Sequence, residues 1–171
     1  MNFDIDVDIS LEPLSLDHCE QMHSLINESR HHLASYLYWV DDVRDLISCS
    51  QYINQRIDSR QPFSQWYAIN FKGHLSGVFA IKLVNDEGIA EVGYWLSRHA
   101  TGFGIINKII AQAPSLLQHT PAHTIEFCCL DQNHASISVA LKSGAVFSHQ
   151  LDNYMMQNGQ QQSLRVYRKI L

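Results

Sequence analysis

The chain has 171 residues, of which 46% are hydrophobic and 17% are charged, and its formal net charge is −5. This length and composition predict one globular domain, residues 1–171, that is large enough to bury a core. The acidic balance, without clustered lysines or arginines, argues against nucleic acid as the main ligand. No run of about 18 apolar residues occurs, so we expect no membrane span. The first ten residues carry three aspartates and no basic residue, which argues against a targeting segment and predicts a cytoplasmic protein.

The cysteines and histidines do not follow the spacing of a metal site. The four cysteines show no C-x-x-C pattern, and Cys128 and Cys129 are adjacent, so reduced thiols are expected. The ten histidines are scattered along the chain. We therefore expect no metal cofactor.

The first part of the chain predicts one strand, over residues 3–11, followed by two helices. Asp17 with Glu20 resembles a capping box at the start of the first helix. Residues 31–40 are rich in aromatics without a clean period and indicate a short helix or a lid, in which Trp39 is either a substrate wall or buried core. The second helix is predicted over residues 42–60. Its apolar spacing predicts a buried stripe of Val43, Leu46, Ile47, Ser50, Ile53 and Ile57.

The rest of the chain predicts six more strands and two more helices. The strands are predicted over residues 65–71, 75–84, 90–96, 124–130, 145–156 and 163–170. One helix begins at Gly104 and should break near Ala113, because Pro114 lacks a backbone donor. The other helix covers residues 135–142. The predicted order is β-α-α-β-β-β-α-β-α-β-β.

A glycine-bearing loop, with Gly102 and Gly104, connects the strand at residues 90–96 to the next helix. The first N–H groups of a helix have no intrahelical partner, and the positive end of the helix dipole points outward there, so backbone atoms can bind an anion. Without a Cβ at the two glycines, a phosphate can approach the chain closely. The loop is therefore either a phosphate site or an ordinary turn from strand to helix.

Three stretches together resemble the GNAT acetyltransferases, and most closely the RimJ/RimL-like branch, which acetylates α-amino groups of ribosomal proteins. They are residues 91–96 (EVGYWL), 101–106 (TGFGII) and 131–145 (DQNHASISVALKSGA). The resemblance implies an α/β (α+β) fold with a mixed, mostly antiparallel sheet and a V-shaped splay between the fourth and fifth strands. It implies acetyl-CoA as co-substrate and leaves the formation of a homodimer open.

The same resemblance implies roles for individual residues. In the family, backbone amides of the glycine loop hold the pyrophosphate of acetyl-CoA, and the pantetheine arm enters the splay beside Trp95 and Leu96. Asn133 would contact the pantetheine and Ser136 would reprotonate the leaving thiolate, unless the two residues only form the first turn of a helix. The loop pattern falls on Thr101, Gly102, Phe103, Gly104, Ile105 and Ile106, where Thr101 and Ile106 depart from the usual residue types.

The likeness places the family's proposed general base, a carboxylate, where this sequence has Met155. Glu91 matches a carboxylate that other branches use through water, and we expect it to be the base; the alternative is a glutamate satisfied by neighbouring strands. Asp152 is close to Met155 in sequence. A general base typically contributes roughly 10²–10⁴ in rate, so its loss would leave a slow enzyme rather than none.

We expect an N-acetyltransferase that transfers acetyl from acetyl-CoA to the α-amine of a protein N-terminus or to a small amine. Trp39 and Tyr154 are expected beside the acceptor. One alternative is an acyl-CoA-binding protein without turnover, which Met155, Thr101 and Pro114 favour. The other is a nucleotide-binding module, which the absence of a Gly-x-Gly-x-x-Gly or P-loop pattern disfavours.

Overall fold

The computed structural model, which describes residues 2–171, contains one eight-stranded mixed sheet. The strands are β1 (Phe3–Asp4), β2 (Ile9–Pro13), β3 (Gln65–Phe71), β4 (His74–Val84), β5 (Ile89–Leu96), β6 (Thr124–Leu130), β7 (Val146–Gln157) and β8 (Gln160–Ile170). Their order in the sheet is β1-β2-β3-β4-β5-β6-β8-β7. The β5–β6 pair is parallel and the other neighbouring pairs are antiparallel. The predicted mostly antiparallel sheet is confirmed.

The helices cover both faces of this sheet. They are α1 (Cys19–Ala34), α2 (Leu46–Ile57), α3 (Ile105–Ala111), α4 (Ala113–Leu116) and α5 (His134–Lys142). On one face, residues of α3, α4 and α5 share a core with Val92 and Phe127. On the other face, residues of α1 and α2 share a core with Val78 and Trp95. Since side chains alternate along a strand, neighbouring residues of β5 face different helix layers.

The predicted first strand is wrong at its centre, because a turn at residues 5–8 divides it into β1 and β2. The Asp6 carboxylate accepts a hydrogen bond of 2.9 Å from the Asp8 N–H and so stabilises the turn. The two short strands then pair with each other, with Phe3 opposite Leu11. The alternation of apolar and polar residues runs through the turn, and Val7 within it is fully exposed. Periodicity alone therefore concealed the break.

The start of α1 also differs from the prediction. The capping box is formed by Ser15 and His18, around a 3-10 turn at Leu16–His18, and not by Asp17 and Glu20. Helix α1 continues to Ala34, so the first residues of the aromatic segment belong to it. Trp39 lies in a second 3-10 turn, Tyr38–Asp42.

The stripe predicted for the second helix is only partly correct, because Val43 and Ile53 are buried but other members of the stripe are exposed. Leu46 is 46% exposed and Ile47 is 72% exposed, whereas Cys49, Tyr52 and Ile53 are buried. The buried residues, followed by Arg56, have the i, i+3, i+4, i+7 spacing of one helix face. The prediction followed the aliphatic residues and missed the face with a tyrosine and an arginine.

The predicted break near Ala113 is confirmed, because α3 ends at Ala111 and α4 begins at Ala113 with Pro114 in its first turn. A proline is tolerated in the first turn of a helix, where its missing N–H would have no intrahelical partner. Among residues 2–171, no helix combines the length and the apolar character needed to cross a membrane.

The splay between β5 and β6 is also confirmed. The two strands pair from Ile89 opposite Thr124 to Val92 opposite Phe127, and their pairing ends there. Beyond that point β5 remains paired with β4 as far as Leu96, and β6 remains paired with β8 as far as Leu130. Residues 93–96 and 128–130 therefore form the two arms of a V.

Close approach of β4 to the end of β5 depends on Gly77. A Cβ at Gly77 would lie 2.1 Å from the Trp95 carbonyl oxygen and 3.0 Å from the Leu96 Cα. We expect Gly77→Ala to lower the free energy of unfolding by about 3 kcal/mol, because a clash with backbone is not relieved by a side-chain rotation. Urea denaturation of the purified variant measures the change.

Gly93→Ala is the matched control, because Gly93 lies on the partner strand. There the added Cβ would meet the flexible side chain of Lys82 at 2.9 Å. A loss of about 1 kcal/mol or less is expected, because that side chain can move. Equal losses in the two variants would contradict the backbone clash.

Candidate active site

Two cavities lie on either side of the splay and share part of their walls. We call the first the aromatic cavity; it has a volume of about 430 Å³ and is lined by Trp39, Tyr52, Trp66 and Tyr154 among others. We call the second the glycine-loop cavity; it has a volume of about 360 Å³ and is lined by residues of the loop, of α3 and of α5. The residues common to both are Tyr36, Leu37, Tyr94, Trp95, Asn133 and Ser136. The predicted site residues Trp95, Asn133 and Ser136 thus lie where the two cavities meet.

The glycine loop has the backbone conformation that its sequence predicts. Gly102 has φ 86° and Gly104 has φ 69°, values that favour glycine, and a Cβ at either would meet no atom within 4 Å. The space in front of the loop is therefore open to a ligand. Thr101, Gly102, Gly104, Ile105 and Ile106 line the cavity together with Leu96.

Phe103 is the one loop residue that does not line the glycine-loop cavity. Its ring packs against Phe71, with ring centroids 5.1 Å apart, and the Lys72 ammonium lies 5.7 Å from its centroid. Any contact of Phe103 with a ligand in this cavity would have to come from its backbone.

Ser136 is the centre of a small hydrogen-bond network at the splay. Its hydroxyl lies 2.9 Å from the Tyr94 hydroxyl and 3.3 Å from the Cys129 thiol. Burial raises the pKa of Tyr94 well above its ordinary value, and burial also raises the pKa of Cys129. Both groups therefore stay protonated at neutral pH, and Ser136 has neighbours that can return a proton to it.

Asn133 holds the start of the helix that carries Ser136. The Asn133 side-chain oxygen accepts a hydrogen bond of 3.1 Å from the Ser136 N–H, which caps the N-terminus of α5. The helix-turn role considered for this pair is therefore present. Asn133 nevertheless lines both cavities, so the cap and a ligand contact can coexist.

A family model described as an acetyltransferase (GNAT) domain matches residues 8–146, which is most of the chain. The chain belongs to the GNAT acetyltransferase family. It is accordingly an acetyl-CoA-dependent acyltransferase. No curated protein matches it in sequence.

Solved structures of other GNAT proteins share its fold at low sequence identity. A coenzyme A complex of RimL, a ribosomal L7/L12 α-N-protein acetyltransferase, is similar with a TM-score of 0.92 and 19% identity, over 100% of this chain and 98% of that chain. The microcin C7 self-immunity acetyltransferase MccE, in complex with acetyl-CoA and AMP, is similar with a TM-score of 0.89 and 22% identity, over 98% of this chain and 94% of that chain. A ribosomal-protein-S5-alanine acetyltransferase from Vibrio fischeri has a TM-score of 0.82 and 16% identity, over 99% of this chain and 96% of that chain. At these identities the likeness is one of fold.

Glu91 and Met155 both line the aromatic cavity of this GNAT domain, whereas Asp152 does not. Glu91 forms an ion pair with Lys82, which also lines the cavity. Asp152 is exposed and accepts a hydrogen bond from Gln150. Glu91, the expected base, therefore lies in the cavity. It is also paired with a residue of the neighbouring strand β4, as in the alternative interpretation of Glu91.

Cys128 lies beside Glu91 in the same cavity. Burial, together with the charges of Glu91 and Glu126, raises its pKa to about 12. Cys128 is therefore mostly in the thiol form at neutral pH, and the thiolate is the reactive form of cysteine.

The β7–β8 hairpin carries Tyr154 to the wall of the aromatic cavity opposite α1. Its tip is attached to the end of that helix, because the Gln157 and Asn158 side-chain amides donate to the Ala34 carbonyl at 3.1 and 3.3 Å. Trp39 packs on Tyr52, with centroids 4.3 Å apart, and on Trp95 at 5.9 Å. Trp39 is thus both part of a packed aromatic cluster and part of the cavity wall.

Sequence reasoning missed Tyr94, Arg56 and Lys142, which line one or both cavities. Tyr94 alternates with Gly93 and Trp95 along β5, so its direction toward α5 could have been inferred from the strand pattern. Lys142 is in the last turn of α5, where a cation is common, and only the fold brings it to the glycine-loop cavity.

The network at the splay predicts unequal effects of two substitutions. Ser136→Ala removes the hydroxyl beside the splay and should lower kcat by about 10²-fold, the lower range for loss of a general acid. Tyr94→Phe leaves that hydroxyl in place and should lower kcat by about tenfold, because only its proton supply is weakened. Steady-state kinetics with CoA thiol detection measures both effects.

Acetyl-CoA affinity, measured by calorimetry, should be nearly unchanged in both variants and serves as the control. An unchanged kcat in Ser136→Ala would show that Ser136 takes no part in the reaction.

Proposed function

We propose that this GNAT domain transfers acetyl from acetyl-CoA to an α-amine, as found at a protein N-terminus. The observation that carries the proposal is the meeting of the two cavities at Tyr94, Trp95, Asn133 and Ser136. A thioester held in the glycine-loop cavity would reach the meeting point from one side. An amine in the aromatic cavity would reach it from the other side.

The glycine-loop cavity has features that suit acetyl-CoA. The open loop at Gly102 and Gly104 suits the pyrophosphate, and the Lys142 ammonium suits a phosphate group. The edge of β5 that faces the splay, at residues 93–96, has backbone groups that β6 does not pair. Extended amide-bearing ligands can pair with such an edge, as the pantetheine arm would beside Trp95 and Leu96.

Ser136 would donate its proton to the departing thiolate and recover one from Tyr94. Asn133 would orient this part of α5 and contact the pantetheine. A backbone N–H at the end of β5 would stabilise the oxyanion that forms when the amine attacks the carbonyl carbon.

The chemistry of the aromatic cavity favours an α-amine over a lysine side chain. Of the carboxylates in residues 2–171, only Glu91 lines this cavity, and Lys82 holds it in an ion pair. A site with so little basic assistance suits an amine that is already neutral. At pH 7.2 roughly a fifth of an α-amine with a pKa of about 7.7–8.0 is neutral, compared with roughly one part in a thousand of a lysine with a pKa of about 10.4. RimL, which shares this fold, is a ribosomal L7/L12 α-N-protein acetyltransferase, and its activity is consistent with the choice of an α-amine.

A small amine is the second candidate, because the aromatic cavity is a bounded space of about 430 Å³. Glu91 would assist either acceptor through a bridging water. Trp39 and Tyr154 would line the path of the acceptor.

An acceptor panel tests the proposed reaction. We expect CoA release with a peptide that has a free α-amine, and release at least about tenfold slower with the N-acetylated peptide that carries one lysine, because the lysine is mostly protonated. Mass spectrometry locates the acetyl group on the product. A set of small primary amines forms the third arm. Tight acetyl-CoA binding without release of CoA in the presence of any acceptor would contradict the transfer reaction and indicate an acyl-CoA-binding protein.

Gly104→Val tests the glycine loop directly. The new side chain would enter the open space before the loop, and acetyl-CoA affinity should fall by about tenfold or more. Gly73→Val is the matched control, because Gly73 also has positive φ and open surroundings but lies in the β3–β4 turn. Calorimetric titration compares the two. Unchanged affinity in Gly104→Val would exclude the loop from the cofactor site.

A further inference from the structure

Arg56 is a cation inside the aromatic cavity for which the transfer reaction has no use. It lies in the last turn of α2, and its guanidinium carbon is 3.4 Å from the centroid of the Tyr52 ring. It lies 5.4 Å from the Trp39 ring and 5.2 Å from the Trp66 ring. Nη1 donates a hydrogen bond of 2.9 Å to the Tyr52 carbonyl oxygen, which fixes the side chain.

The guanidinium of Arg56 has unused capacity for hydrogen bonds. Within residues 2–171, its Nε is buried without a hydrogen-bond partner, and no carboxylate forms an ion pair with it. Burial lowers the pKa of Arg56, yet a guanidinium stays protonated at neutral pH because its ordinary pKa is so high. Ring faces attract the charge, but they do not accept an N–H in the guanidinium plane as a carboxylate does.

The charges of the cavity leave a net positive site. Apart from Arg56, the charged side chains on its wall are Lys82 and Glu91, which neutralise each other. This is unusual in a chain with a net charge of −5, and it disfavours a polycationic acceptor. A fixed cation also lowers the pKa of a nearby ammonium group, which increases the neutral fraction that can attack.

We propose that the acceptor carries an anionic group, a carboxylate or a phosphate, which binds Arg56 in the aromatic cavity while the amine points to the splay. The inference rests on the proposed function and narrows its acceptor class. The guanidinium keeps N–H groups beyond the one that Tyr52 accepts, and carboxylates and phosphates form strong charge-assisted hydrogen bonds with such groups. In the competing interpretation, Arg56 only fastens Tyr52, Trp39 and Trp66 together.

Three matched peptides separate these interpretations by binding rather than turnover. They are Ser-Gln-Ala amide, Ser-Glu-Ala amide and Ser-phosphoserine-Ala amide, titrated calorimetrically into the CoA-loaded protein. We expect at least one anionic peptide to bind about tenfold tighter than the neutral peptide, because a charge-assisted hydrogen bond to Arg56 is gained. The stronger anionic peptide identifies the group as carboxylate or phosphate.

Variants then assign the preference to Arg56. Arg56→Gln should bind all three peptides alike, and Arg56→Lys should keep part of the preference because it keeps the charge but loses the planar fork. Arg60→Gln is the matched control, since Arg60 follows the same helix, is exposed and lines neither cavity. It should keep the full preference.

Equal affinity of the wild-type protein for the three peptides would overturn the inference, even if Arg56→Gln did not fold. A preference that persists in a folded Arg56→Gln protein would overturn it too. If the preference is present and depends on Arg56, but no peptide is acetylated, the anion site stands and the proposed transfer reaction fails.

Discussion

The site depends on the early end of one strand pairing. Strands β5 and β6 separate after Val92 and Phe127, although each continues to pair with its other neighbour. Each strand therefore has one unpaired edge inside the protein rather than at the rim of the sheet. Backbone groups in such a place need partners, because leaving a buried N–H or C=O unpaired is unfavourable. The V therefore leaves backbone groups available to a ligand, and Tyr94 and Trp95 on its β5 arm line both cavities.

The division of side chains along β5 separates the two halves of the reaction. Tyr94 faces the layer of α3 and α5, whereas Glu91 and Trp95 face the layer of α1 and α2. In the proposed reaction, Tyr94 on the thiolate side and the residues on the acceptor side would therefore come from alternate positions on one strand. Tyr52 connects the second group to α2, because its hydroxyl accepts a hydrogen bond of 2.9 Å from the Trp95 indole. The acceptor wall is consequently fixed to the strand that would position the thioester.

Most of the fold was predictable because its local signals agree with the tertiary structure. The β3–β4 hairpin, the break before Pro114 and the strand at Thr124–Leu130 follow from turn residues and periodicity, which are local properties. The break in the first strand was not predictable, because the alternation of apolar and polar residues continues through the turn that Asp6 stabilises. Part of the buried face of α2 was also missed, because Tyr52 is buried and Arg56 half-buried through contacts with Trp39, Trp66 and Trp95 from distant parts of the chain. In the site, the glycine loop and the Asn133–Ser136 turn were visible as motifs, whereas the meeting of Tyr94 with Ser136 needed three dimensions.

One wall of the aromatic cavity belongs to the β7–β8 hairpin, which is held to the end of α1 at its tip. Ten of the first eleven residues of β7 are exposed, and the strand lies at the edge of the sheet with Leu151, Tyr154 and Met155 on the cavity wall. Two side-chain amides hold its tip in place. Changes in this hairpin can reshape the acceptor space while leaving the glycine loop, α5 and the splay intact. In the proposed reaction, the acceptor could therefore change without a change in the residues that would hold the acyl donor.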